Sequence, residues 1–184
     1  MCRAFTALAA GALALMLAAC GSDETAALDA LRSELEGAGS VSVSAEVSSN
    51  TGGRLAEYTL RCTRSDSEVT VEVLAPEALA GVSVSGGTGS GELRYGSLML
   101  EVPLEGVSPL TALPLTLAAI EDGYAALSWS EGDETLFSLE LSDASSVTLT
   151  LSAEGTPVRS ELIDGGESAA VCEIGEFTIN EAME

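Results

Sequence analysis

The chain contains no histidine and no lysine; its 7 basic residues are all arginine, against 29 acidic ones. Without His or Lys there can be no Ser-His-Asp triad, no Cys-His pair, no Schiff base and no His-containing zinc site. Carboxylate pairs remain available as acid and base, but no spacing singles one out, so the expected catalytic set is none. A net charge of -22 repels DNA, RNA and anionic lipid headgroups. Aromatic residues are only 4 %, so the core must be built from Leu, Val and Ala. Long apolar runs are also scarce. The longest, in residues 4–17, is too short to span a membrane, which takes about 20 residues.

What is present begins with that run. Arg3 supplies a positive start, and an apolar stretch of signal-peptide length follows it. It ends at Leu17-Ala18-Ala19-Cys20. This resembles the bacterial lipobox: a branched apolar residue and two small ones ahead of a cysteine. The resemblance implies diacylglycerol on the Cys20 sulfur and peptidase cleavage between Ala19 and Cys20. The expected division is therefore a lipoprotein signal peptide at 1–19, a lipidated tether at 20–23 and one domain at 24–184. Two acyl chains on one cysteine anchor stably where one is marginal. The expected location is the extracytoplasmic face of the cell membrane.

Cys62 and Cys172 then remain in a disulfide-permissive setting. Both lie on the apolar phase of alternating segments: Tyr58, Leu60, Cys62 and Ala170, Cys172, Ile174. They are a candidate disulfide; the alternative is two unpaired core thiols.

Residues 25–36 predict a helix, with Ala27, Leu28, Leu31 and Leu35 on one face and Gly37 at its stop. From Val41 the apolar period becomes two. Val41, Val43, Ala45 and Val47 alternate with polar residues, as do Val69, Val71 and Val73. Residues 75–81 predict a short helical turn. Residues 86–91 predict a loose glycine-rich loop; it lacks the Lys and the strand-to-helix setting of a phosphate loop. A hairpin turns around Gly96. After Ser108-Pro109, residues 110–120 are apolar on nearly every side, which predicts a buried helix, with Pro114 kinking it or starting its main part. Leu110, Leu113, Leu115, Leu117 and Ile120 are the candidate lid of a hydrophobic cavity. Residues 124–179 predict five more strands. Glu131, Asp133 and Glu134 lack calcium-loop spacing and predict a solvated turn; no metal or cofactor is expected.

The expected fold class is mainly β (α+β): a curved antiparallel half-barrel of about ten strands, with an N-terminal helix and an apolar helical insert over the concave face. The order of parts carries a resemblance. A helix and three strands precede Pro76-Glu77-Ala78-Leu79-Ala80-Gly81; a hairpin with Tyr95-Gly96 and a Ser-Pro apolar helix follow. This resembles the LolA/LolB-like half-barrel superfamily, in its Gram-positive lipoprotein (GerS-like) branch. The resemblance implies a concave face that receives acyl chains, or an envelope protein as partner. An acyl anchor at Cys20 keeps the domain at the membrane, so the function expected is non-catalytic binding or scaffolding there.

Overall fold

A computed structural model describes residues 23–51, 54–65, 68–86, 89–104, 106–142 and 145–181. Ala19, Cys20 and the rest of the signal segment lie outside these residues.

Helix α1 (Asp23–Glu36) leads into six strands: β1 (Ala38–Thr51), β2 (Arg54–Ser65), β3 (Glu68–Ala75), β4 (Ser83–Gly86), β5 (Gly89–Tyr95) and β6 (Leu98–Leu104). A 3₁₀ turn at Glu77–Leu79 separates β3 from β4. Helix α2 (Pro109–Asp122) follows, then β7 (Tyr124–Glu131), β8 (Glu134–Glu140), β9 (Ser145–Leu151), β10 (Pro157–Asp164) and β11 (Glu167–Glu181). Among the described residues no helix is long and apolar enough to cross a membrane.

All eleven strands form one antiparallel sheet, ordered β6-β5-β4-β3-β2-β1-β11-β10-β9-β8-β7. The chain steps outward from β1 to the β6 edge, then re-enters at the opposite edge as β7. It steps back inward until β11 pairs with β1. Helix α2 is the link between the two edges.

This topology explains the curvature. Ten gaps of about 4.8 Å would put the edges of a flat sheet about 48 Å apart. The 14-residue helix covers about 21 Å, and the few linking residues add at most about 17 Å. The link cannot bridge a flat sheet, so the sheet must curl around the helix that joins its edges.

The core fills that concavity. From the sheet come Val41, Val43 and Val47 of β1, Leu60 of β2, Phe137 and Leu139 of β8, and Val147, Leu149 and Leu151 of β9, all essentially inaccessible. From α1 come Leu28, Leu31 and Leu35; Leu113 and Ile120 enter from α2. The alternation expected in β1 is therefore the alternation of inward and outward side chains.

Two expectations change. The glycine-rich segment around 86–91 is not a loose loop: β4 runs to Gly86, β5 begins at Gly89, and Gly86 pairs with Gly91. A Cβ on Gly86 would lie 2.6 Å from the Ser90 carbonyl oxygen and 2.7 Å from Gly91 Cα, both backbone atoms. Glycine is needed there for close strand approach. Second, Pro114 does not start the second helix. Pro109 does, at the first helical position, behind a capping box. In it the Ser108 hydroxyl accepts from Thr111 N, and Thr111 Oγ1 accepts from Ser108 N at 2.8 Å. Pro114 lies inside the helix.

Candidate functional site, an apolar cleft beneath the crossing helix

The residues expected to form a lid divide into two sets. Leu113, Leu117 and Ile120 are buried and pack into the core. Leu110 and Leu115 are only partly buried and face a cleft of about 430 Å³. Its sheet side is Val69 and Val71 of β3, Val84 and Gly86 of β4, and Leu104 of β6; Pro114 and Ala118 complete the helix side. The helix is thus core filler on one side and cleft wall on the other.

The cleft suits hydrocarbon. Its volume is within the usual range for small-molecule sites. Thr111 is the polar side chain on its wall, and that hydroxyl is already committed: it bonds Gly106 O at 2.9 Å and accepts from Ser108 N. A hydrocarbon entering here leaves no polar side chain unpaired, and each methylene it buries contributes about 0.8 kcal/mol. A second cleft, of about 470 Å³ between α1 and the β9–β10 turn, has Glu34 and Glu154 on its walls and does not share this character.

Two arginines fix the helix that forms the roof. Arg32 of α1 donates from Nε to the Ile120 carbonyl at 2.7 Å and from Nη2 to the Gly123 carbonyl. These are carbonyls at the C-terminal end of α2, where a cation is favoured. Arg64 of β2 donates to the Leu35 carbonyl at 3.4 Å and pairs with Glu121. Burial raises the Glu121 carboxyl above its ordinary range, and Arg64 opposes that shift. Neither arginine was legible from spacing; both act across long sequence separations.

Cys62 and Cys172 are free and buried, the second of the two alternatives left open by the sequence. Both face the core, but from β2 and β11, strands on opposite sides of β1. Cys62 is opposite Val43 and Cys172 is opposite Val47. Two strand spacings are about 10 Å and the four-residue offset adds about 13 Å along the strand. A disulfide requires Cα atoms within about 7 Å. Burial pushes the Cys62 thiol up to about 12 and the Cys172 thiol to about 11. Beside Cys172 lies a polar pair that the sequence did not reveal: Thr116 Oγ1 and Ser160 Oγ are 2.8 Å apart. Thr116 donates to the Ala112 carbonyl at 3.0 Å, so Ser160 is the donor to Thr116.

Glu131, Asp133 and Glu134 sit at the exposed β7–β8 turn, where Trp129 Nε1 donates to Glu131 at 2.9 Å. Among the described residues no group of three acidic or thiol side chains converges as metal ligands.

No protein-family model matches this sequence, and the curated proteins contain no match to it. Solved structures do resemble it. An uncharacterized conserved protein from Thermus thermophilus superposes with a TM-score of 0.50 at 16% identity, over 86% of this chain and 88% of that one. A LolA superfamily protein from Nitrosomonas europaea gives 0.43 at 12%, over 83% and 94%. A chain from the Clostridioides difficile CwlD amidase–GerS lipoprotein complex gives 0.41 at 15%, over 85% and 92%. At such identities the likeness concerns the fold alone. The fold is thus a half-barrel: an open curved antiparallel sheet of eleven strands among the described residues, with helices on its concave side.

Proposed function

We propose that this chain is a non-catalytic lipoprotein, anchored through acylated Cys20 on the extracytoplasmic face of the membrane, whose half-barrel holds the hydrocarbon part of a lipid or amphiphile. The observation that carries the binding reading is the apolar cleft between Leu110 and Leu115 of α2 and Val69, Val71 and Val84 of the sheet. The motive for the anchor is the Leu17-Ala18-Ala19-Cys20 motif. Native mass spectrometry of protein purified without added lipid tests the cleft: a bound amphiphile is expected, and protein that carries none and takes up none sinks the reading. Metabolic labelling with an alkyne fatty acid tests the anchor. Label should be retained by the natural chain and lost in Cys20→Ser.

A second reading is a scaffold or activator lipoprotein for a cell-envelope or spore-cortex enzyme. It is favoured by a different observation, the exposed apolar edge of the sheet. Leu98, Met99 and Leu100 of β6 are about half exposed, at 50%, 57% and 49%. Co-purification with one defined envelope enzyme, abolished by substitutions in β6, supports it; unchanged recovery counts against it.

A further inference from the structure

We propose that the outer edge of β6, from Leu98 to Val102, takes an extended basic segment of a partner protein as an added strand. This rests on the second reading, in which that edge is a docking surface, and is independent of the cleft.

The two edges of the sheet differ. Strand β6 pairs with β5 without interruption from Gly89↔Leu104 to Tyr95↔Leu98. Strand β7 has a register shift between Ala125 and Leu127 in its pairing with β8. Such irregularities blunt an edge against further pairing. The β6 edge is regular, and Leu98 and Leu100 project from one face of the ribbon while Met99 projects from the other. Pro103 limits the run, since it has no amide hydrogen to offer.

Chemistry selects the occupant. A bilayer can cover the apolar side chains, but its hydrocarbon offers nothing to the outward N–H and C=O groups of a terminal strand. Another strand satisfies both. A second copy of this chain would bring a second charge of -22 against the first. Locally, Arg94 is already paired with Glu92, and Glu101 is exposed on β6 itself. A segment alternating apolar and basic residues meets the backbone, the side chains and the charge together.

Fluorescein-labelled decapeptides alternating Val with Lys, Ser or Glu test this by anisotropy against the full chain in detergent. The Val-Lys peptide should bind about tenfold more tightly than Val-Ser, with the advantage shrinking as salt screens it, and Val-Glu should bind weakest. On binding, β6 amides should gain protection from hydrogen exchange. Met99→Pro and, separately, Leu100→Lys should each weaken Val-Lys binding about tenfold without changing the melting temperature, whereas Leu127→Lys on β7 should not. Equal binding of the three peptides overturns the proposal, as does equal weakening by the β6 and β7 variants, which would mean diffuse charge attraction. Self-association, or capture by phosphatidylcholine vesicles, that Leu100→Lys abolishes would assign the edge to a second copy or to the membrane and also overturns it. Lipid retention in the cleft should be unaffected by these variants, so the two readings fail separately.

Discussion

Arg64 on β2 and Glu121 near the end of α2 form a half-buried ion pair that ties the crossing helix to the concave face of the sheet. Burial raises the Glu121 carboxyl while Arg64 holds the shift in check. Between its ordinary value and the raised one, the folded chain keeps a proton that the unfolded chain releases. Stability from this group is therefore greatest at low pH and is lost as pH rises through the raised value. Urea unfolding of the natural chain and Glu121→Gln, measured between about pH 4 and pH 8, should show the natural chain losing stability relative to the variant as pH rises. A constant difference would refute the assignment.

Arg32 has a different task at the same junction. Its guanidinium reaches the Ile120 and Gly123 carbonyls, and hydrogen bonds from a charged donor contribute about 1.5–3 kcal/mol each. Arg32→Met keeps much of the aliphatic stem and should cost about 2 kcal/mol. The melting temperature should fall by about 4–8 °C, with faster amide exchange confined first to the end of α2.

The two buried thiols should behave as core atoms. With both pushed above 10 and inaccessible, Cys62 and Cys172 should resist iodoacetamide at neutral pH and react fully after unfolding in guanidinium. Peptide mass spectrometry reads this directly. Reductant should leave the melting temperature unchanged, because the strand order holds the thiols apart.

The two sides of α2 should separate stability from binding. Leu113→Ala removes a side chain with no exposure and should cost about 2–5 kcal/mol. Leu115 lines the cleft, so Leu115→Ala should cost less than Leu113→Ala. Leu115→Trp should fill the cleft and abolish lipid retention while the chain still unfolds cooperatively. Retention of lipid by Leu115→Trp would place the ligand elsewhere.

Much of the fold is legible in residue spacing. Val41, Val43, Ala45 and Val47 report a half-wet strand because side chains alternate across a sheet. Leu28, Leu31 and Leu35 report a helix with one buried stripe. The segment near Gly91 misled because glycine signals both loops and close strand contact, and only the pairing of Gly86 with Gly91 distinguishes them. The lid was half legible: composition shows that residues 110–120 are apolar all round, but not which side meets the core.

Local patterning alone determined most of the strands and both helices, since each depends on neighbours a few residues apart, and composition alone determined the acidic charge. Tertiary structure decided the rest. It placed β1 between Cys62 and Cys172, brought Arg64 to Glu121, and left β6 as a regular exposed edge. It also opened the cleft beside Leu115. These depend on strand order, and strand order follows from where a 14-residue helix can carry the chain between the two edges of a curling sheet.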